Sequence, residues 1–134
     1  MDYQTLKATL EAEFNDNWTD TGIAWENADL DPLPDGPWVR LTVMPSVSAN
    51  AVIGSGMVRI AGYVVAQVFT KINEGSGDAY RLADKIKAIF ENKQFSGIFL
   101  YATEVESIGD GIRRVDQIEQ DWFQLNVTTR FEAH

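Results

Sequence analysis

Apolar residues follow two spacings along the chain, and each spacing predicts one kind of element. In residues 2–14 and 78–92 they recur every three or four positions, which is typical of an amphipathic helix with one buried side. In five other stretches they alternate with polar residues, or β-branched and aromatic residues dominate, which predicts strands. These predicted strands are residues 22–26, 38–44, 58–71, 98–106 and 122–131.

The order of these elements predicts the fold class. The chain is predicted to run through one helix, three strands, a second helix and two more strands. This order favours an α+β domain with a mainly antiparallel sheet of about five strands and both helices packed on one face. At 134 residues, the chain is expected to form one domain spanning residues 1–134. The first helix is too short to be stable alone, so it docks on the sheet or on a neighbouring subunit.

The predicted arrangement leaves the other face of the sheet partly uncovered. Trp38, Tyr101 and Trp122 are expected to share this face with polar side chains. Exposed aromatic residues on a sheet with uncovered edges usually mark a partner. The polar residues on this face are Arg40, Thr42, Gln124, Asn126 and Thr128.

Two connections are candidates for contact with other chains. Pro45 is expected to end the second strand, and the small-residue loop Ser46–Gly56 follows it. This loop is either a contact surface for another chain or the tip of a mobile hairpin. Residues 107–120 are expected to form a long connection whose two adjacent arginines make surface or subunit salt bridges. The candidate subunit-contact residues are Val47, Val52, Ile53, Arg113 and Arg114.

Composition narrows the possible partners. No apolar run approaches the roughly 20 residues of a membrane span, and the first residues lack a signal-peptide pattern, so neither a membrane partner nor export by that route is expected. The net charge of −9 argues against nucleic-acid binding as the main task, because such binding depends on lysine and arginine.

The chain also lacks the side chains on which most enzymes depend. It has no cysteine, and its one histidine is His134 at the chain end. Thiolate nucleophiles, histidine clusters and nucleophile–histidine–acid triads are therefore excluded. The 20 carboxylates leave a carboxylate-pair enzyme open. We expect no enzymatic activity, no catalytic residues, no cofactor and no metal.

The turn Gly75–Gly77 allows two interpretations. Glycines between a strand and a helix can form a phosphate cradle, which gives a second functional hypothesis, a small-ligand or nucleotide-binding domain. However, the third glycine of a dinucleotide fingerprint is missing, and no P-loop tripeptide occurs in the chain. The favoured interpretation is a tight turn in which Ser76 or Asp78 caps the second helix.

Three segments resemble a known family. Residues 59–70 read Arg-Ile-Ala-Gly-Tyr-Val-Val-Ala-Gln-Val-Phe-Thr, residues 75–79 read Gly-Ser-Gly-Asp-Ala, and residues 82–95 read Leu-Ala-Asp-Lys-Ile-Lys-Ala-Ile-Phe-Glu-Asn-Lys-Gln-Phe. Together with the first helix, the tryptophan-bearing strand and the proline-rich loop, they resemble the tail terminator (tail completion) and minor tail proteins of long-tailed bacteriophages.

The resemblance implies a structural protein of a phage or prophage virion. Such proteins cap the tail tube as a ring, typically a hexamer, which ends tube polymerisation and presents a surface to the head connector. The implied partners are copies of the chain itself, the tail tube protein and the head–tail connector protein, with DNA only passing through the ring. The implied location is the virion tail, assembled in the bacterial host cytoplasm. Another neck or minor tail structural protein is the alternative.

Overall fold

Two helices and six strands make up the part of the chain that the structure describes. A computed structural model describes residues 2–26, 28, 36–50, 58–71, 76–115 and 118–134, without the side chains of 47–50, 58, 110–115 and 118–121. The helices are α1 (Tyr3–Asn17) and α2 (Gly77–Phe90). The strands are β1 (Gly22–Trp25), β2 (Trp38–Asn50), β3 (Val58–Lys71), β4 (Gln94–Phe95), β5 (Ile98–Val115) and β6 (Ile118–Ala133).

The strands form one sheet in the order β1-β2-β3-β6-β5-β4. Neighbouring strands are antiparallel except β1 and β2, which are parallel. The α+β prediction and its element order are confirmed. The sheet has six strands rather than the expected five. The additional strand is β4, whose two residues form too short a pattern to be recognised in the sequence.

Both helices pack on the same face of the sheet, as expected. The apolar positions of α1, Leu6, Leu10 and Phe14, are four residues apart and fully buried. Asp2 begins this helix by accepting a 2.7 Å hydrogen bond from the Thr5 backbone N–H. The Phe14 ring stacks on Phe90 of α2 with ring centroids 5.7 Å apart, so one core joins α1, α2 and the sheet. Neither helix of the described ranges is long and apolar enough to cross a membrane.

Strand β2 does not end at Pro45, which corrects the expected Ser46–Gly56 loop. The strand continues to Asn50, with a register shift between Pro45 and Val47 in its pairing with β3. Since β1 pairs only with Trp38–Leu41, this part of β2 lies at the edge of the sheet. A proline is tolerated at an edge bulge because no interior ladder bond is lost there.

Strand β5 likewise continues through the expected long connection. It extends to Val115, and its pairing with β6 reaches Val115↔Ile118. A register shift lies between Ser107 and Gly109, where Gly109 has φ +91°. A glycine with positive φ is typical of a bulge, so Gly109 lies in a bulge of a continuing strand and the long connection expected over residues 107–120 is not formed.

The end of α2 holds a second bulge of β5 in place. The ladder between β5 and β6 shifts register between Leu100 and Thr103. The Thr103 backbone N–H donates a 2.9 Å hydrogen bond to the carboxylate of Glu91, the C-cap residue of α2. The bulge therefore keeps a partner for this N–H, and α2 is fixed relative to β5.

An ion-pair cluster fixes the other end of α2. Asp20, which precedes β1, accepts hydrogen bonds from Lys85 at 2.5 Å and from Arg81 at 3.4 Å. The hydrogen bond from Lys85, followed by the remaining attraction of Lys85 and Arg81, holds the pKa of Asp20 below its ordinary value. Below that lowered pKa the carboxyl is protonated and the ion pairs are lost.

We expect Gly62→Ala to destabilise the protein. An added Cβ would lie 2.3 Å from the Met44 carbonyl oxygen and 2.8 Å from the Pro45 Cα, both backbone atoms of the β2 bulge. Overpacking of this kind costs about 1–3 kcal/mol, measurable as a lower urea midpoint. The control is Gly77→Ala, where nothing lies within 4 Å of the added Cβ and α-helical stability should rise by up to about 1 kcal/mol. Equal stability of Gly62→Ala and the native chain would contradict the close approach.

Candidate functional site

The sheet face opposite the two helices is the candidate functional surface, called here the open face. Alternate residues of β2, β3, β6 and β5 project from it in rows across the sheet. The register places Trp38 beside Phe69 and Phe69 beside Gln124 at one end. Toward the other end, Met44 lies beside Tyr63, and Tyr63 beside Arg130. The face therefore has two ends of different character.

One end of the open face is a small buried cluster. Trp38 stacks on Phe69 at 4.3 Å and meets Trp122 edge-on at 6.0 Å, with Ala24 of β1 beside them. The expectation that Trp38 and Trp122 are exposed was wrong, since both are fully buried. Among the described residues, their indole N–H groups have no hydrogen-bond partner. The cluster is held by aromatic packing and burial of apolar area.

The middle of the open face is polar, as the alternation predicted. Arg40, Gln67, Asn126 and Glu106 form a row across four strands. The Asn126 side chain accepts a 2.9 Å hydrogen bond from Gln124. Polar side chains that bond one another are compatible with exposure to water, so this zone needs no cover.

The other end of the open face is an exposed group of large side chains, called here the aromatic patch: Met44, Tyr63, Tyr101 and Arg130. The exposed fractions are 52% for Met44, 44% for Tyr63 and 41% for Tyr101. The guanidinium of Arg130 lies 5.4 Å from the centre of the Tyr101 ring and 3.3 Å from a Glu132 carboxylate oxygen. Tyrosine, methionine and arginine are the residues enriched in protein–protein interfaces.

The groups around Tyr101 act on its hydroxyl. Partial desolvation, followed by the hydrogen bond and charge of Glu132, raises the pKa of Tyr101, while Arg130 and Arg59 act in the opposite direction. Of these groups, Arg130 also lies near the ring itself, with its guanidinium 5.4 Å from the ring centre.

The sheet edges are less suited to contact than the open face. The edge strand β1 has four residues and β4 has two. Where β2 is itself the edge, it carries Pro45 and a bulge, and the uncovered part of β5 carries a bulge after Ser107. Short edge strands, prolines and bulges oppose strand-to-strand addition.

The sequence-predicted contact residues fall mostly outside the described side chains. Val47 lies in β2, and Arg113 and Arg114 lie in β5 rather than in a loop, paired with Gln120 and Glu119 of β6. Nothing is described of the side chains of these three candidates, and Val52 and Ile53 lie outside the described residues altogether. Their roles as contact residues stay predictions.

The sequence analysis did not select Met44, Tyr63 or Arg130 as contact residues. Alternation along each strand places Tyr63 on the face opposite Val64 and Met44 on the face opposite Val43. Extending this alternation across paired strands would have found the patch, but the register needed for it is not visible in one sequence.

At the Gly75–Gly77 turn, Gly75 is outside the described residues. Ser76 occupies the N-cap position of α2 without a side-chain capping bond, so the capping expected of it is not made. Asp78 lies in the first turn and binds Arg81 at 2.6 Å. A carboxylate at this position repels a phosphate. Among the described residues no group of three or more histidine or acidic side chains is arranged to hold a metal ion.

Comparison with known proteins identifies the family. The profile of the phage tail terminator protein family matches residues 5–131, nearly the whole chain. The chain therefore belongs to the phage tail terminator protein family. Members of this family are structural, non-enzymatic proteins, which makes the chain a structural component of the phage tail.

Solved structures support the same fold. One of them superposes with a TM-score of 0.63 at 17% identity, covering 96% of this chain and 95% of that chain. At this identity the likeness establishes a shared fold and no more. No curated protein sequence matched significantly.

We expect two variants of the open face to shift the pKa of Tyr101 in opposite directions. Glu132→Gln removes a negative neighbour and should lower it, whereas Arg130→Gln removes a positive neighbour and should raise it. Tyrosine ring carbons followed by NMR between pH 8 and about pH 12 report the titration, with Tyr101→Phe assigning the signal. Shifts in the same direction would contradict the described network.

Proposed function

We propose that this protein caps the phage tail tube as a closed ring of identical copies, typically a hexamer. The ring ends tube polymerisation and forms the interface to the head connector. Its partners are other copies of the chain, the tail tube protein and the head–tail connector protein. It works in the virion tail, after assembly in the cytoplasm of the bacterial host.

Membership of the tail terminator family over residues 5–131 is the observation that carries this proposal. A tube of repeated subunits stays open to addition until its last layer is covered by a subunit that offers no further site. A ring matching the tube's symmetry covers all positions of that layer at once. In such a ring each copy contacts the next one head to tail. Each copy therefore needs two different surfaces, one for the copy before it and one for the copy after it.

The open face supplies one such surface. Its exposed end carries Met44, Tyr63 and Tyr101, with Arg130 among them. Large apolar side chains grouped on one surface mark a contact site more often than scattered ones do. The blunted edges of the sheet direct the contact to this face rather than to strand addition. The five sequence-predicted contact residues remain part of the proposed contact region.

The charge of the chain supports passage of DNA through the ring. Its net charge of −9 disfavours retention of a polyanion. We therefore propose that the DNA slides through without sequence-specific contact. The ring acts by shape and by its surfaces.

The test is tube growth from purified tail tube protein, followed by electron microscopy. Added terminator should stop growth in proportion to its concentration, and the stopped ends should carry one extra ring. Tubes that keep lengthening at saturating concentrations, with bare ends, would contradict the proposal. A protein bound along the tube or elsewhere in the neck, without arrest of growth, would favour a different tail position. Sedimentation of the native chain at rising concentration, without tubes, shows whether the ring forms before the protein binds a tube.

A further inference from the structure

A two-residue bulge of β5 carries one member of the aromatic patch. The ladder between β5 and β6 is regular as far as Leu100 and resumes at Thr103, so two residues of β5 lie opposite one residue of β6, Arg130. Tyr101 is the first of these two residues. Its ring centre lies 5.4 Å from the Arg130 guanidinium. The geometry of the bulge therefore bears directly on this part of the open face.

The bulge also sets which side of the sheet the later part of β5 presents. Leu100 lies in the core under the helices, and the Thr103 hydroxyl lies 2.7 Å from the hydroxyl of Thr129, which is buried on the same side. In a regular strand, residues three apart point to opposite sides. Leu100 and Thr103 share one side because the bulge adds a residue between them, so loss of the bulge would reverse every later position of β5.

The segment that follows α2 is the outer neighbour of this bulge. Strand β4 pairs with the start of β5, and the same antiparallel pairing continues for two residues toward α2. The Leu100 N–H donates to the Lys93 carbonyl oxygen at 2.8 Å, and the Asn92 N–H donates to the Tyr101 carbonyl oxygen at 3.1 Å. Asn92 has φ 53°, the left-handed conformation that commonly follows a helix. The backbone before Asn92 therefore belongs to α2 and no longer runs along β5.

The next acceptor on this edge of β5 is a side chain. The Thr103 N–H donates a 2.9 Å hydrogen bond to the carboxylate of Glu91, the residue before Asn92. A neighbouring strand would offer a backbone carbonyl oxygen at this position, and Glu91 offers a carboxylate oxygen instead. Hydrogen bonds to an ionised acceptor are stronger than those between neutral groups. This bond links α2 to the residue at which the ladder with β6 resumes.

We propose that Glu91 is a positioning residue for the open face. By accepting the Thr103 N–H it fixes the bulge of β5, and through the bulge it sets the contact between the Tyr101 ring and Arg130. Helix α2 lies on the other face of the sheet, so a residue of the helix layer determines what the open face presents. This inference goes beyond the proposed function, and it concerns the single chain before any assembly.

NMR of the full chain tests this role with three variants of Glu91. Glu91→Ala removes the acceptor, so the Thr103 amide should exchange with water at least about tenfold faster, and the cross-peaks between the Tyr101 ring and the Arg130 side chain should be lost. Glu91→Gln keeps an acceptor oxygen at the same length and should retain both features. Glu91→Asp keeps the charge but is one methylene shorter, and should behave like Glu91→Ala.

Lys87→Gln is the matched control, because it removes the 3.7 Å ion pair with Glu91 and leaves the hydrogen bond to Thr103. It should match the native chain, and the changes of Glu91→Ala appearing in Lys87→Gln would assign them to the ion pair and overturn the proposal. Unchanged Tyr101–Arg130 cross-peaks in Glu91→Ala would overturn it as well, because the bond would then stabilise the strand without positioning the ring. If Glu91→Ala does not fold, equal spectra of Glu91→Gln and Glu91→Asp would be the contradicting result.

Discussion

The structure depends on one constraint, which is that a sheet of six strands is covered by helices on one face only. The central strands lie about 4.8 Å apart, and each helix is about 10 Å wide, so α1 and α2 together cover the four central strands on one side. Phe14 of α1 and Phe90 of α2 meet over this core. No described element of comparable size remains for the other side, so the apolar side chains of that face must either bury one another or be covered by a partner.

The open face does both, and the division runs along the strands. At one end Trp38 and Trp122 are fully buried and stack on or meet one another and Phe69, so their apolar area is already out of water. At the opposite end Met44 and Tyr63 stay half exposed. The first end contributes to the stability of a single copy, whereas the second leaves apolar area whose burial becomes favourable only when another molecule arrives.

Sequence spacing was sufficient for the helices, the element order and the inward sides of the strands, because these depend on local periodicity. It failed where pairing decides the outcome. Pro45 and Gly109 each indicate a chain reversal when considered locally, yet both lie in bulges of strands that continue, and a bulge is a property of two paired strands. The burial of Trp122 depends in the same way on which strands become neighbours. The lack of cysteine and of any histidine other than His134 could be read directly from the sequence, but the patch of Met44, Tyr63 and Arg130 required the register.

We propose that this phage tail protein acts through a surface that the described part of its own chain leaves uncovered. Hydroxyl-radical footprinting of the free protein and of capped tubes measures this directly, because exposed methionine and tyrosine are both oxidised. The account predicts that Met44 and Tyr63 are modified in the free chain and protected in the assembly, while Tyr80 on the helix side shows the same modification in both. Equal oxidation of Met44 and Tyr63 before and after assembly would show that the open face stays in water, and would contradict the account.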